Sequence, residues 1–195
     1  MSLTASTMME LGTEISSFAL PDVRTGKIVR VPEQGPILIM FVCNHCPYVI
    51  HVKGELARIG RDYASKVAII AISSNDVAYA AEDSPKKLKE MAEALSLSFP
   101  LCYDESQDVA LSFTAACTPD IFLFDKDRRL AYRGQIDGSR PGNTVPVDGR
   151  DLRAAMDALL KGGRPLADQR PATGCNIKWK PGKQPAYYCA LVNKK

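Results

Sequence analysis

Residues 36 to 43, "PILIMFVC", are apolar at every position. A strand with one face in water alternates polar and apolar residues, so this one belongs in the middle of a sheet covered on both faces. The pattern then changes at once. From Cys46 onward, Val49, Val52, Leu56, Ile59 and Tyr63 recur at helical spacing, and Gly60 lies near the end. A buried strand running directly into an amphipathic helix commits the chain to a layered α/β fold. At the junction stands Cys43-Asn44-His45-Cys46.

The remaining elements follow from similar signals. Short strands around Ser17 to Leu20 and Lys27 to Val31 flank the turn residues Asp22 and Gly26 and form an N-terminal hairpin. "KVAIIAIS" is a second buried strand, and "DSPKKLKEMAEAL" opens a helix with Ser84 as N-cap and Pro85 at its first position. A short strand at Phe99 to Cys102 and a helix from Ser106 to Thr114 come next. "PDIFLFDKDRRLAYRG" is two antiparallel strands joined at Asp125 to Arg128. "DGRDLRAAMDALLKGG" carries one apolar stripe, Leu152, Ala155, Met156, Leu159 and Leu160, and stops at Gly162. Residues 163–195 read as an extended C-terminal tail on a single domain spanning 1–195, with Ile177, Trp179 and the tyrosines as anchors. A βαβ half with CxxC at its first strand-to-helix junction, followed by a ββα half, is the arrangement of the thioredoxin fold: a central mixed sheet flanked by helices.

Composition narrows the partners. A net charge of +3 on 195 residues gives no electrostatic footprint for nucleic acid and no pull toward an anionic membrane. The longest apolar runs are strand-sized, and "MSLTASTMMELGTEISSFAL" lacks the plan of a signal peptide, so the chain reads as cytoplasmic. Six cysteines, at 43, 46, 102, 117, 175 and 189, sit in a chain with core enough to do without disulfide staples. In a reducing compartment a close pair points to redox or metal chemistry.

Redox chemistry fits the context better. With Cys43 at or just before the helix start and Asn44, His45 and Cys46 in its first turn, free N–H groups and the helix dipole favour the Cys43 thiolate. Thiols in such places have pKa values of about 3.5 to 7.5. His45 is expected near the Cys43 sulfur, lowering its pKa and making the pair more oxidising. Zinc is the competing reading, with His45 and His51 as further ligands, but no second CxxC completes a tetrahedral site. Thr118-Pro119, in "AACTPDIFLF", stands where a thioredoxin fold places its cis-proline loop against the cysteine pair. Cys117 is then either a resolving thiol or a small buried hydrophobe. Cys102, Cys175 and Cys189 read as structural, although Cys175 approaches the site if the tail folds back.

"FVCNHCPYV", "ACTPDIFLFD", "YRGQIDGSRPGN" and "GCNIKWKPG" together resemble the peroxiredoxin-like group of bacterial redoxin-domain proteins, of AhpC/TSA type, that carry CxxC. The resemblance covers nearly the whole chain. It implies a thiol-disulfide oxidoreductase without a cofactor. Its partners are protein or small-molecule disulfides, with peroxides a further possibility, and a reductant the sequence does not identify; relatives often form homodimers. In this comparison Cys46 falls where a peroxiredoxin keeps its peroxide-attacking cysteine. The PxxxTxxC pattern would need Pro at 39 and Thr at 43, where Ile39 and Cys43 stand, and no arginine adjoins Thr118-Pro119. In the exchange mechanism so implied, Cys43 attacks a substrate disulfide and Cys46 resolves it. A metallochaperone holding copper through the pair and a histidine is a third reading. Thioredoxins also carry a buried acid on the strand leading to the pair; "PILIMFV" has none, and Asp76, Asp120 or a water are the candidates to replace it.

Overall fold

The computed structural model describes residues 3–188. Strands are β1 (Leu3–Ala5), β2 (Ala19–Pro21), β3 (Ile28–Arg30), β4 (Ile37–Phe41), β5 (Ala68–Ser73), β6 (Leu101–Tyr103), β7 (Cys117–Thr118), β8 (Asp120–Phe124), β9 (Leu130–Arg133) and β10 (Thr173–Asn176). Helices are α1 (Pro47–Tyr63), α2 (Pro85–Ala94), α3 (Asp108–Ser112) and α4 (Arg150–Leu160), with a 3-10 turn at Ala81–Asp83.

The central sheet has the order β6-β5-β4-β8-β9. β4, β5 and β6 run parallel; β8 and β9 are antiparallel to their neighbours. β4 sits in the middle with every residue buried, as its unbroken apolar run requires. Alternation splits it between two cores. Leu38 and Met40 face α1, α2 and α4, whereas Ile37, Ile39 and Phe41 face α3 and the tail residues Ile177 and Trp179. Phe41, Phe113 and Phe122 pack edge to face in the second core, with centroids 5.6 to 5.9 Å apart.

The fold is thioredoxin-like, with β2 and β3 forming the expected antiparallel hairpin. One part of the architecture has no counterpart in the sequence reading. β1, β10 and β7 form a separate three-stranded sheet, in that order and antiparallel, so the tail is a strand wedged between the start of the chain and the residues before Pro119. Gly174 makes this possible: a Cβ there would lie 1.9 Å from the Thr118 carbonyl oxygen. Among the described residues no helix is long and apolar enough to cross a membrane.

Candidate functional site: a buried dithiol under the tail strand

The cysteine pair lies in the loop between β4 and α1, but not as the sequence predicts. Pro47 opens the helix and Cys46 is its N-cap, with φ −69° and ψ 124°, so Asn44, His45 and Cys46 are not a first helical turn. Pro47 explains the shift, because a residue before proline is driven out of the helical region while proline itself suits the first helical position. Cys46, rather than Cys43, therefore faces the free N–H groups of the helix start.

The Thr118-Pro119 peptide is cis, as expected. Thr118 touches both thiols: its hydroxyl lies 3.2 Å from Cys43 Sγ, and its carbonyl oxygen lies 3.2 Å from Cys46 Sγ, accepting the S–H when Cys46 is protonated. Cys43 and Cys46 are each 0% exposed. The interaction between the two thiols decides which of them carries the pair's negative charge. Cys46 is lowered to about 4, first by the hydrogen bond from Cys43, against the opposing effect of burial, and further by the Cys175 thiol and the backbone N–H groups of Val49 and Cys175. Val49 is the third residue of α1, where an N-cap side chain finds its donor, although no complete cap bond forms. Burial, the hydrogen bond given to Cys46 and the nearby Asp83 carboxylate push Cys43 well above the ordinary thiol value. The anion expected on Cys43 thus falls on Cys46, because the donors converge there.

His45 lies within 4.8 Å of Cys43 Sγ, but its Nδ1 is 2.7 Å from Asp83 Oδ2. That bond raises the His45 pKa, favouring imidazolium. Asp83 is fully buried; its Oδ1 accepts the Asn44 N–H at 2.7 Å and its Oδ2 also accepts the Asn75 amide at 2.6 Å. These donors hold its carboxyl below the usual range in spite of burial. Asp83 therefore fixes the Asn44–His45 turn and offsets the imidazolium charge, so His45 does not act on Cys43 as an isolated cation. Cys43, His45 and Asp83 are close enough to share a metal ion, yet both Asp83 oxygens are already engaged. His51, the other imidazole of the zinc reading, instead hydrogen-bonds the Ser139 hydroxyl at 2.7 Å.

Asp83 was not legible as a site residue, since it lies in an unremarkable "AAEDSP" turn remote in sequence. Asp120 is fully buried, and burial raises it to about 6. It shares the sheet face of Phe122 and Phe124, turned away from α1. Asp76 accepts the Ala78 N–H within its own turn.

The third cysteine at the site is Cys175. β10 pairs with β7 so that Cys175 stands opposite Thr118 and Asn176 opposite Cys117. Opposed residues share a face, and successive ones alternate. Cys175 therefore joins Thr118 on the side of the dithiol, in the same core cluster as Cys43 and Cys46, whereas Cys117 points the other way and directs its S–H at the Pro119 carbonyl, 3.5 Å distant. Burial pushes Cys117 far up, and Cys102, on β6, up to about 12. Cys189 lies outside the described residues.

A conserved protein of Geobacillus kaustophilus, described as uncharacterized, is 47% identical, with a TM-score of 0.91 over 93% of this chain and 98% of that one. More distant structures share the fold alone. A thiol:disulfide interchange protein of the thioredoxin family from Chlorobium tepidum has 14% identity and a TM-score of 0.60, covering 78% of this chain and 99% of that one. Peroxidoxin BcpB from Mycobacterium tuberculosis has 20% identity and a TM-score of 0.58, covering 80% and 99%. No curated protein matches the sequence. Residues 11–133 match the AhpC/TSA family, a span that includes both cysteines of the pair and Thr118-Pro119, and the chain belongs to that family.

Proposed function

We propose that the protein is a thiol-disulfide oxidoreductase in which Cys46 supplies the attacking thiolate and Cys43 resolves the product. The observation that carries this reading is the place of Cys46 at the N-cap of α1, where the free N–H groups of the helix start favour its thiolate. The Cys46 thiolate attacks a substrate disulfide R–S–S–R′ and forms Cys46–S–S–R, expelling R′S⁻. Cys43 then attacks the Cys46 sulfur, RS⁻ leaves with the Cys43 proton, and the enzyme holds a Cys43–Cys46 disulfide. A separate reductant must return it to the dithiol. The order is the reverse of the one the family comparison implies for a thioredoxin-like exchange, because the low-pKa thiol is the better nucleophile at neutral pH.

Thr118 positions both sulfurs, and the His45–Asp83 pair holds the turn between them. Full burial of both sulfurs favours small disulfides, or substrates that lift the Asn44–His45 turn. The decisive test is a small disulfide such as 2-hydroxyethyl disulfide offered to the reduced protein. Cys46→Ser is expected to abolish exchange, while Cys43→Ser still forms a mixed disulfide at Cys46; an adduct on Cys43 in Cys46→Ser would reverse the roles.

A second reading has one specific observation in its favour: the ionised thiol is the one aligned with the peroxide-attacking cysteine of peroxiredoxins. In that case hydrogen peroxide oxidises Cys46 to a sulfenic acid, and Cys43 condenses with it, releasing water. Stopped-flow thiol loss with one equivalent of peroxide separates the two. A rate no faster than free cysteine supports exchange, and a much faster one supports the peroxidase.

A further inference from the structure

Cys46 shares its core cluster with two other thiols, Cys43 and Cys175, and only Cys43 belongs to the CxxC motif. We propose that Cys175 is a second resolving thiol, giving the site two disulfide states, Cys43–Cys46 and Cys46–Cys175. The proposal rests on the reading of Cys46 as the attacking thiolate.

Placement is the first argument. The β10–β7 register sets Cys175 beside Thr118, whose carbonyl oxygen lies 3.2 Å from Cys46 Sγ, and Gly174 allows the close approach of the two strands. The same register turns Cys117 to the far face, so Cys175 takes the place that the sequence reading offered to Cys117. Both sulfurs are buried in the same core cluster, with Cys175 opposite the residue whose carbonyl oxygen lies 3.2 Å from Cys46 Sγ; a disulfide needs the sulfurs to close to about 2.05 Å.

Timing is the second. In the reduced protein Cys175 is pushed up to about 12 by burial and then by Cys46, through both their hydrogen bond and its charge, while the Lys178 cation opposes them. Once Cys46 is in a disulfide its negative charge is gone, and the Lys178 cation remains. Cys175 thus becomes easier to ionise at the point when a resolving thiolate is needed.

The electron count closes in both routes. From the mixed disulfide, Cys175 attacks the Cys46 sulfur, the Cys46–S–S–Cys175 bond forms, the Cys46–SR bond breaks, and RS⁻ takes the Cys175 proton. Two protein thiols are then oxidised and one substrate disulfide is reduced to two thiols. From Cys43–Cys46 the same attack expels Cys43, which takes the proton. This is a rearrangement without net oxidation, and it returns Cys43 as a thiol.

The test uses the full-length Cys43→Ser variant and the Cys43→Ser/Cys175→Ser double variant, each reduced and given one equivalent of 2-hydroxyethyl disulfide, with products mapped by peptide mass spectrometry. The Cys46 adduct is expected to decay at least about tenfold faster in the single variant, yielding a Cys46–Cys175 peptide. Adducts of equal lifetime in both would overturn the second resolving role and leave the proposed function standing. Absence of any Cys46 adduct in Cys43→Ser, with an adduct on Cys43 in Cys46→Ser, would overturn both. Should Cys43→Ser not fold, the wild-type protein is equilibrated in glutathione buffers of rising oxidation. A Cys46–Cys175 peptide appearing beside Cys43–Cys46 supports the proposal, and Cys43–Cys46 alone across the range overturns it.

Discussion

The sulfur of Cys46 is met by the thiols of Cys43 and Cys175 and by the N–H groups of Val49 and Cys175, donors drawn from three segments of the chain. A titration of the reduced protein followed by ultraviolet thiolate absorbance should therefore show one thiolate persisting as pH falls, lost only near pH 4. A lone transition near the unperturbed value of about 8.5 would refute this distribution of donors. His45 and Asp83 make a second residue-scale prediction. The folded His45 pKa is raised, so its part of the pair's stabilisation is complete below about 6.5 and is lost as pH rises through the raised value. Asp83 is lowered, so its part is present above about 3.9 and fades on acidification. Asp83→Asn, which removes the buried partner of a partly exposed imidazole and weakens the bonds to Asn44 and Asn75, should destabilise the protein by about 1–3 kcal/mol. It should also return the His45 pKa toward 6.5, read by NMR. An unchanged His45 titration would show that the ion pair does not set it. Local chemistry made Cys43, Cys46, Thr118 and Pro119 visible in the sequence; nothing local distinguishes Asp83, whose role exists only because the Ala81–Asp83 turn packs under Asn44 and His45.

Among the elements, strong periodicity was the reliable guide. β4, β5, α1, α2 and α4 announce themselves because each has a continuous apolar run or stripe, and their limits fall close to where those patterns begin and end. β1, β7 and β10 do not. Each has two to four residues, too few for a period to register, and β10, "TGCN", has a composition that reads as a turn. Their pairing is decided by tertiary fit, above all by the missing side chain at Gly174. Gly174→Ala should force β10 away from Thr118 and cost about 1–3 kcal/mol through overpacking. The decisive readout is chemical: with Cys175 moved off Cys46, the absorbance-detected Cys46 pKa should rise above about 4. A variant that loses stability while keeping that pKa would show that β10 is not what brings Cys175 to the site.

On the scale of the whole molecule, the tail both fills a core and covers the reactive centre. Ile177 and Trp179 are buried against the face of the sheet opposite α1, while Cys175, two residues earlier, lies on the dithiol side. Asn75 ties the two halves together, giving its amide to Asp83 and accepting the Lys178 N–H at 2.8 Å. Truncation after Gly163 removes two large buried side chains, worth about 1.5–3 kcal/mol each, and should lower Tm by on the order of 10 °C. It should also make the Cys43 and Cys46 thiols react at once with Ellman's reagent; slow reaction in a folded truncated protein would show that the cover lies elsewhere. The order of biosynthesis gives this arrangement a further meaning. Cys43 and Cys46 leave the ribosome early and Cys175 late, so at ordinary translation speeds the nascent pair waits on the order of ten seconds for its covering strand. During that interval the dithiol is chemically a different object, open to any oxidant or chaperone the nascent chain meets, and the mature reactivity begins only when the last strand is laid down.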